Sequence, residues 1–559
     1  MKLEEKNITI KINGNVFNCA PGTRGESLMQ HFGIDSSLIA AMKVNNEILS
    51  LNDRLEVNAV LEPVLLDSPE GRAIYRRTLA FMLSVAARKL FPDKRLYIGH
   101  SMGNGFYYTF TTGKKPKKEQ IEKLSVGMHS LVEKDLPINC RFIAYNEALE
   151  LFTKNQQTDT ALLLSDRNQS KIQINECGNF IDLYIAPLLP RTGLLTTFEL
   201  MAYQDGFLLR FPPSSHNQCQ DKKIDAFRDI PKLFTVYNEY KKWGRIIGVH
   251  AVGHLNRMIS DGSIRDYIHI AEAFQEKKLV EIAEQIYKRK DCVKTILIAG
   301  PSSSGKTTTA KRLSFALKVM GIEPIAIGLD DYYVGTADTP LDENGKPDFE
   351  CLQALDIKFL NKQLLALHAG KEVTLPVFDF KSGKRRESGG RTIKLDKRTM
   401  LIIEGIHGLN DELTPSIDRE SKFKLYVSAL TQLNLDDHNR IPTRDNRLLR
   451  RMVRDSQFRG AGAIRTFQMW ASVLRGENKH IFPFQNEADA AFNSALDYEL
   501  SVLKFYAEPL LHSIKPGMHE YAEAVRLLTF LENFTPIPPQ YVPGKSILRE
   551  FIGDSEFKY

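Results

Sequence analysis

The stretch from residue 295 to 309 constrains the fold of this chain more than any other. Residues 300–307 read GPSSSGKT, which matches the pattern G-x-x-x-x-G-K-[ST] at every position. The apolar run 296–299 is long enough for a buried strand, and apolar residues recur at helical spacing from Ala310 to the stop at Gly321. A strand, a glycine-rich turn and a helix N-terminus in this order present a cluster of backbone N–H groups. These groups can donate hydrogen bonds to the oxygens of a polyphosphate. We interpret this stretch as a nucleotide-phosphate site.

The motif also gives individual side chains a role. Lys306 can reach the β- and γ-phosphates of a bound nucleotide, and the hydroxyl of Thr307 can ligate Mg²⁺. The two glycines can take backbone angles that a side chain would forbid. The residues of this loop that are predicted to contact ATP are Gly300, Ser302, Ser303, Ser304, Gly305, Lys306, Thr307 and Thr308.

The length and composition indicate an ordinary multidomain protein. At 559 residues the chain is long enough for about three or four domains. The net charge of +7, from 75 basic and 68 acidic residues, is too small to indicate a nucleic-acid binder. The six cysteines form no C-x-x-C pair, and no apolar run reaches the ~18 residues of a membrane span. We expect a cytoplasmic protein with reduced thiols and no membrane partner.

Two further apolar runs end in acidic residues. The run 324–329 leads into Asp330 and Asp331, and the run 399–403 leads into Glu404. Residues at the carboxyl ends of parallel strands face the ligand crevice of an α/β sheet. We expect Asp330 to lie beside the γ-phosphate, where its carboxylate can accept the proton of an attacking hydroxyl. Asp331 is more typical of a cap, whereas Glu404 is predicted to hold Mg²⁺ together with Thr307.

An arginine-rich stretch follows at 447–459. Its arginines on neighbouring turns of one predicted helix are Arg447, Arg450, Arg451 and Arg454. So many neighbouring positive charges repel one another unless anions, either carboxylates or phosphates, bind them. With the Gly-Ala-Gly segment 460–462 as a hinge, we predict a lid that closes over the phosphates, with Arg450 contacting ATP. A solvated basic helix is the alternative.

The N-terminal residues 1–63 indicate a small β-grasp-like α+β module. Isoleucines alternate with polar residues at 8–12, and Asn-Gly at 13–14 supplies a hairpin turn. A short helical pattern comes next, and later strands are predicted at 41–44 and 55–57. With its Ile-Asn-Gly, Pro-Gly-Thr and Val-Asn-Asn segments, the module resembles the TGS domain of threonyl-tRNA synthetases.

Residues 64–240 carry LFP at 90–92 and IGHSMGNGFYY at 98–108. These segments are similar to the second additional, or editing, domain of threonyl-tRNA synthetases, which cleaves mischarged tRNA with an H-x-x-x-H pair, a cysteine and a further histidine. The matching positions here are Arg77, Phe81, Tyr184 and Leu188. None of these side chains binds a metal or shuttles a proton at neutral pH, so we predict a binding or structural role.

A helical connector is predicted at 241–292, and we expect it to pack on the domain after it because no flexible linker separates the two. Near its start, His250 and His254 are spaced as two ligands on one helix face would be. Asp261 is the one nearby residue that could supply a third ligand. Packed or capped histidines are therefore favoured over a metal pair.

The P-loop, DDYY at 330–333, FE at 349–350, PVFDF at 376–380, Glu404 and the arginine-rich stretch form a specific combination. It resembles the uridine kinase branch of the phosphoribulokinase/uridine kinase family. The resemblance implies a catalytic base at Asp330, an acidic residue at Glu350 that holds ribose hydroxyls, and arginines at 451 and 454 that contact substrate and phosphates. The predicted substrate-binding residues are Asp330, Tyr333, Glu350, Phe378 and Arg451.

Three positions depart from the family pattern. Phe378 replaces a tyrosine and has no phenol to donate, Gly383 replaces a histidine that reads the pyrimidine edge, and Ala461 replaces a substrate arginine. Recognition of a particular base depends on such buried polar groups. The resemblance therefore carries over the chemistry and leaves the identity of the base open.

These observations predict an α/β protein with a P-loop kinase domain and a mostly parallel sheet at 293–530, a tail at 531–559, and two α+β domains before the connector. The predicted reaction is ATP- and Mg²⁺-dependent phosphorylation of the 5′-hydroxyl of a ribonucleoside, first of all uridine or cytidine. Asp330, Lys306 and Arg454 are the predicted catalytic residues. One alternative is another acceptor, either a different nucleoside or a sugar phosphate; the other is a tRNA- or ribosome-binding ATPase switch. RNA contact by the N-terminal half and homo-oligomerisation stay open.

Overall fold

A computed structural model of the chain describes residues 7–110, 115–213, 224–341, 345, 347–379, 382–386 and 389–558. Within them the strands form four sheets of at least three strands, accompanied by helices along the whole chain. None of the helices in these residues has the length and apolar content needed to cross a membrane. The mixed α/β architecture confirms the predicted fold class.

The N-terminal region is a five-stranded mixed sheet with one helix on it. Its elements are β1 (Ile8–Ile12), β2 (Asn15–Cys19), β3 (Thr23–Arg24), α1 (Gly25–His31), β4 (Ile39–Val44), β5 (Glu47–Leu49), β6 (Arg54–Leu55) and β7 (Ala59–Leu65). The sheet order is β2-β1-β7-β4-β5, with β1 and β7 parallel. Asn13 and Gly14 have φ values of 50° and 81°, as the predicted hairpin turn requires.

The central strand of this sheet, β7, is absent from the sequence prediction, which has a strand at 55–57 instead. Pro63 pairs with Met42 within β7, and proline seldom occupies a central strand. The predicted boundary at residue 63 falls inside β7, so the chain has no break there.

The next region contains two antiparallel sheets. Its elements are α2 (Pro69–Leu90), β8 (Leu96–Ser101), β9 (Gly105–Phe110), α3 (Lys118–Lys134), β10 (Asn139–Ala144), α4 (Tyr145–Lys154), α5 (Thr158–Ser165), β11 (Lys171–Cys177), β12 (Phe180–Asp182), β13 (Glu199–Tyr203) and β14 (Gly206–Arg210). The sheet orders are β13-β14-β9-β8 and β10-β11-β12. Apolar side chains of α2 and α3 cover the four-stranded sheet and form one core with it.

Three helices lead from this region to the P-loop. They are α6 (Pro231–Ile247), α7 (Val252–Ser260) and α8 (Ile264–Tyr287). The predicted boundary at residue 240 falls inside α6. As predicted, the connector packs on the C-terminal half: α8 shares a core with the P-loop strand and its helix, and Arg312 Nη1 donates to Gln275 Oε1 at 2.7 Å.

The C-terminal half is built on a five-stranded parallel sheet. Its elements are β15 (Thr295–Ala299), α9 (Lys306–Val319), β16 (Glu323–Gly328), α10 (Ile357–His368), β17 (Val373–Thr374), β18 (Phe378–Asp379), β19 (Lys384–Arg385), β20 (Thr392–Ile393), β21 (Thr399–Glu404), β22 (Lys422–Ser428), α11 (Thr443–Phe458), α12 (Ala463–His480), β23 (Ala490–Asn493), α13 (Glu499–His512), α14 (Tyr521–Leu531) and α15 (Arg549–Ile552). The sheet order is β16-β21-β15-β22-β23.

The position of β15 in this sheet determines where the site lies. All five of its residues are buried, as expected for a central parallel strand with helices on both faces. Its neighbours β21 and β22 run parallel to it, so the carboxyl ends of all three open on the same edge. The P-loop comes directly after β15 at that edge, where the acidic strand ends are predicted to meet it.

Candidate active site

The P-loop is held against the sheet by close backbone packing. A Cβ atom on Gly300 would lie 2.0 Å from the carbonyl oxygen of Val427, so only glycine fits at that position. Gly305 has a φ of 80°, in the left-handed region that glycine adopts freely. Lys306 opens α9 and donates through Nζ to the carbonyl oxygens of Gly300 and Pro301, at 2.9 and 3.2 Å. The loop is therefore preformed.

The N–H groups of this loop bind carboxylates in the structure. Ser302 N donates to Glu477 Oε1 at 2.8 Å. Thr308 donates through N and Oγ1 to Glu550 Oε2, at 3.1 and 2.6 Å. The hydroxyls of Ser303 and Ser304 are buried and have no hydrogen-bond partner among the described residues. A loop whose donors attract anionic oxygens and whose hydroxyls lack partners fits a polyphosphate.

Thr307 and Glu404 come together at the edge of the sheet. The Thr307 hydroxyl lies 3.1 Å from both carboxylate oxygens of Glu404, which is the last residue of β21. Burial raises the pKa of Glu404, while the charge of Lys306 opposes this shift. A hydroxyl and a carboxylate are the hard oxygen donors that Mg²⁺ prefers, so the residues present fit this ion.

Asp330 comes after β16 in a short 3₁₀ helix, Leu329–Tyr332. Burial raises the pKa of Asp330, and the neighbouring charge of Lys306 lowers it. Asp330 also contributes to the raised pKa of Glu404, so both carboxylates lie within electrostatic reach of each other and of Lys306. Asp331 accepts a hydrogen bond from Phe378 N at 3.2 Å, in keeping with a structural role.

Aromatic rings and an acidic residue lie beside Asp330. The ring centroid of Tyr333 is 5.5 Å from that of Phe349 and 5.7 Å from that of Phe378. Burial raises the pKa of Glu350, and the charges of Lys306 and Arg451 oppose this. These are side chains that the sequence predicts to bind the acceptor, and we call this group the acceptor side. Phe380, the last residue of the PVFDF segment, lies outside the described residues.

Gly383 lies in the turn between β18 and β19, and its backbone has a left-handed conformation that favours glycine. Its φ is 66°, and a Cβ atom would lie 2.3 Å from Thr336 Oγ1. Its carbonyl oxygen accepts a hydrogen bond from Thr336 N at 2.9 Å. The backbone is therefore built for glycine, and no side chain reads a base from this position.

Two arginines of α11, Arg447 and Arg450, are bound by buried carboxylates. Arg447 forms a two-pronged pair with Glu477 at 2.5 and 2.8 Å, and Arg450 is fully buried against Glu499. Arg450 also donates to the carbonyl oxygen of Ser303 at 3.3 Å. This position does not support the prediction that Arg450 contacts ATP, because its guanidinium is buried and binds Glu499 and the backbone carbonyl of Ser303.

The next two arginines face the site. Arg451 Nη1 donates to the Ser302 hydroxyl at 2.8 Å, and Arg454 lies near enough to Lys306 to lower its pKa, although burial has the larger effect on that amine. Arg454 also pairs with Asp455 at 2.7 Å. Apolar residues of α11 belong to the main hydrophobic core. The helix therefore packs on the core through one face, unlike the hinged lid that the sequence predicts.

The four residues at the positions that match the editing residues pack close together in the second region. The rings of Phe81 and Tyr184 lie edge to face at 5.5 Å, both buried, and Leu188 is buried in the same core. Arg77 Nη1 donates to the carbonyl oxygen of Pro187 at 2.8 Å. The place that a hydrolytic site would occupy is packed with rings and an arginine.

Residues 429–442, here called the connecting loop, run from β22 to α11 and bind the second region. Arg95 binds Asp437 through Nε and Nη2 at 3.0 and 2.8 Å. His438 Nδ1 lies 2.7 Å from Asp182 Oδ2, and Asn434 Nδ2 donates to the carbonyl oxygen of Ile98 at 2.7 Å. The second region is thus joined to the segment that leads into the arginine helix.

Two residues at the P-loop are missing from the sequence predictions. Glu477 lies in α12 and Glu550 in α15, far along the chain from the motif. Nothing in the sequence around Glu477 points to a phosphate site.

A family comparison agrees with the geometry of the C-terminal half. Residues 295–501 match the Phosphoribulokinase / Uridine kinase family. That segment contains the P-loop, Asp330 and Glu404, and it forms a P-loop kinase region. Two solved structures are similar in part. One is a "Possible Uridine Kinase" from Bacillus stearothermophilus, at 22% identity and a TM-score of 0.27, covering 39% of this chain and 98% of that one. The other is D-glycerate 3-kinase from Cryptococcus neoformans, at 13% and 0.20, covering 45% and 87%.

The curated relatives of this chain match through the N-terminal region. Threonine–tRNA ligase of Desulforamulus reducens is 32% identical over 200 residues, which cover 35% of this chain and 31% of that protein. Threonine–tRNA ligase 2 of Bacillus subtilis is 33% identical over 171 residues, covering 30% and 27%. The chain spans about a third or less of the length of these relatives. A threonyl-tRNA synthetase-like region therefore precedes the kinase region.

Proposed function

We propose that this protein transfers the γ-phosphoryl group of ATP to the 5′-hydroxyl of a ribonucleoside. One observation carries the proposal: Asp330, Glu350 and Glu404 each lie within electrostatic reach of Lys306, the lysine of one preformed P-loop. A phosphate nest, a metal-binding pair, a base and a ribose-binding carboxylate are the parts that such a transfer needs.

Asp330 is the proposed base. Its carboxylate accepts the proton of the acceptor hydroxyl, and the raised pKa of Asp330 makes it a better proton acceptor than an aspartate with an unshifted pKa. Lys306 and Arg454 supply positive charge where the equatorial oxygens of the transferred group gain negative charge. Glu350 and the Tyr333 and Phe378 rings orient the acceptor so that its hydroxyl faces the phosphorus atom.

Thr307 and Glu404 would hold Mg²⁺, with their hydroxyl and carboxylate oxygens as ligands. When bound, the ion neutralises charge on the phosphate oxygens. The protein contributes the position of these two donors: β21 fixes the carboxylate and the start of α9 fixes the hydroxyl. Lys306 and the loop N–H groups bind the phosphates beside them.

The nature of the acceptor is the open part of the proposal. Gly383 has no side chain that could read a pyrimidine edge, and this observation favours a second candidate. The same chemistry then acts on another acceptor, either a purine nucleoside or a sugar phosphate. The Tyr333 and Phe378 rings can stack on any base, whereas a sugar phosphate would need a second anion site.

An acceptor panel tests these proposals. Full-length protein is assayed for ADP release with uridine, cytidine, purine nucleosides and sugar phosphates, and Asp330→Asn is compared with the neighbouring Asp331→Asn. We expect turnover with a ribonucleoside and a loss of about 10²–10⁴-fold in Asp330→Asn. Full activity in Asp330→Asn would show that Asp330 is not the catalytic base. Turnover with a sugar phosphate alone would replace the nucleoside proposal.

RNA contact by the synthetase-like region is a separate proposal, supported by the likeness to threonine–tRNA ligases. Editing is not part of it, because Arg77, Phe81 and Tyr184 occupy that place. Salt-dependent binding of tRNA by the full chain would support an ATPase switch, particularly if no acceptor increased ADP release. Absence of tRNA binding at low salt would end this alternative.

A further inference from the structure

Two histidines and one aspartate lie together outside the kinase site, where α5 of the synthetase-like region meets α7. Asp159 belongs to the first turn of α5, His250 precedes α7, and His254 lies in its first turn. One ligand atom from each side chain lies within 4.8 Å of the other two. Only folding brings them together, since α5 and α7 are far apart in sequence.

The distances within this cluster suit a shared cation better than a direct hydrogen bond. His250 Nε2 lies 3.4 Å from Asp159 Oδ2, beyond the ~2.9 Å typical of an N–H···O bond. Two ligands of a tetrahedral Zn²⁺ with bonds of about 2.1 Å are about 3.4 Å apart. The imidazole centroids of His250 and His254 are 4.2 Å apart. His254 Nδ1 is buried and has no partner among the described residues.

The charges around the cluster also accommodate a cation. Arg95 Nη2 is 2.7 Å from Asp437 Oδ2 and 3.5 Å from Asp159 Oδ2, so two carboxylates face one guanidinium. The bidentate pair with Arg95 occupies Asp437, and Asp159 remains the carboxylate that faces the histidines.

We propose that Asp159, His250 and His254 bind one divalent transition-metal ion of the Zn²⁺ type. Two imidazoles and one carboxylate suit such borderline metals, whereas Mg²⁺ and Ca²⁺ take oxygen ligands. Solvent completes the coordination, because the His250 side chain is 36% exposed. Arg95 and Asp437 lie behind the aspartate and orient it.

This proposal differs from the interpretation of the sequence, which favoured packed or capped histidines because Asp261 was the one candidate for a third ligand. Asp261 Oδ1 instead accepts hydrogen bonds from Ser263 N and Oγ, at 3.0 and 2.6 Å. The third ligand, Asp159, comes from a helix of the other region. His250 lies outside α7, so the helical spacing in the sequence was not the geometry that joins the two imidazoles.

The bound ion has a defined structural effect. It connects α5 to α7, and through the Asp159, Arg95 and Asp437 group it reinforces the attachment of the connecting loop. That loop leads into α11, whose arginines hold the P-loop. The metal therefore stabilises the junction of the two halves. The site is separate from the P-loop, so its test does not depend on the proposed function.

The test uses the full chain, freed of metal with a chelator and kept in excess Mg²⁺ to saturate the kinase site. Zn²⁺ is titrated by calorimetry, and Co²⁺ is titrated with detection of its d–d absorption. We expect one Zn²⁺ per chain and a weakening of at least about 10-fold in His250→Ala and in His254→Ala. His269→Ala, an exposed histidine on α8, is the matched control and should bind as the wild type does.

Two readouts guard against misfolded variants. Circular dichroism of each metal-free variant is compared with the wild type, and His250→Ala is expected to fold because the side chain is partly exposed. Thermal unfolding should shift upward with Zn²⁺ in the wild type and His269→Ala only. The proposal is overturned if the wild type gives no tetrahedral Co²⁺ spectrum, or if His250→Ala and His254→Ala bind Zn²⁺ as tightly as the wild type.

Discussion

At the scale of single residues, the candidate site depends on side chains whose charged forms are destabilised by desolvation and stabilised by neighbouring opposite charges. Lys306 is half-buried, and desolvation lowers its pKa, but Glu404, Glu550 and Glu477 favour its charged form. Burial raises the pKa of Asp330 and Glu404, and Lys306 opposes both shifts. Lys306 is therefore the electrostatic centre around which the acidic groups are arranged.

The first prediction at this scale concerns the metal pair. Glu404→Gln removes the negative charge beside Thr307 but keeps the side-chain volume, so it should raise the Mg²⁺ concentration for half-maximal ADP release about 10-fold or more. Glu412→Gln, an exposed change close by in sequence, is the control and should behave as the wild type. An unchanged Mg²⁺ requirement in Glu404→Gln would exclude this carboxylate as a ligand.

The second prediction separates two arginines of one helix. Arg450 is fully buried against Glu499, so Arg450→Ala leaves a buried carboxylate unpaired and should lower the free energy of unfolding by about 3–5 kcal/mol. Arg454→Ala should leave stability nearly unchanged and lower kcat, because this guanidinium lies near Lys306. Urea unfolding and steady-state kinetics of both variants check the distinction. Equal effects on stability would contradict it.

At the scale of elements, the P-loop receives its partners from helices that lie more than a hundred residues further along the chain. Glu477 of α12 and Glu550 of α15 both accept hydrogen bonds from its N–H groups. A Cβ atom on Gly305 would lie 2.7 Å from Ile547, so the C-terminal segment packs directly on the loop. The predicted tail at 531–559 thus covers the kinase region, with α15 beside the start of α9.

The third prediction arises from this contact. Glu550 binds the N–H and hydroxyl of Thr308, which the sequence motif assigns to the nucleotide phosphates. Glu550→Gln removes the competing charge and should lower the KM for ATP several-fold, with a smaller effect on kcat. Asp554→Asn, a neighbouring exposed acid, is the control. A raised KM for ATP would show instead that Glu550 supports the loop in its active form.

At the scale of the whole molecule, polar contacts through the connecting loop join the two halves. The His438 side chain is only 10% exposed, and its Nδ1 lies 2.7 Å from Asp182 Oδ2. Burial lowers the pKa of His438, but the carboxylates of Asp182, Asp437 and Asp436 outweigh it and raise the pKa to about 9. The imidazolium is therefore an ion-pair partner at neutral pH, at the junction between the synthetase-like region and the kinase region.

The fourth prediction is a pH dependence of stability. Because the folded-state pKa of His438 exceeds its ordinary value of 6.5, its contribution is fully present below pH 6.5 and is lost as the pH rises through about 9. His438→Asn keeps a donor but removes the charge, so it should lower the free energy of unfolding by up to about 3 kcal/mol at pH 6. The difference from wild type should vanish near pH 10. A difference that is constant between pH 6 and 10 would contradict the assignment.

The sequence by itself determined the elements whose signals are local. The P-loop motif, the apolar runs of β15, β16 and β21, and the acids that end them specified a parallel sheet with a phosphate site at its edge. Local pattern works there because strand, turn and helix N-terminus are consecutive, and each needs particular residue types. The hairpin turn at Asn13 and Gly14 was predicted from the same kind of local chemistry.

Only the tertiary structure decided which charges meet. Arg450 and Arg454 are four residues apart on one helix, yet Arg450 pairs with Glu499 and Arg454 lies near Lys306. Asp159 lies beside two histidines, His250 and His254, from a segment distant in sequence, and Glu550 contacts the P-loop from the last helix of the described chain. A charged side chain is stabilised by what surrounds it in space, and sequence spacing carries no record of neighbours brought together by packing. That is why the motif could be predicted from the sequence and its partners could not.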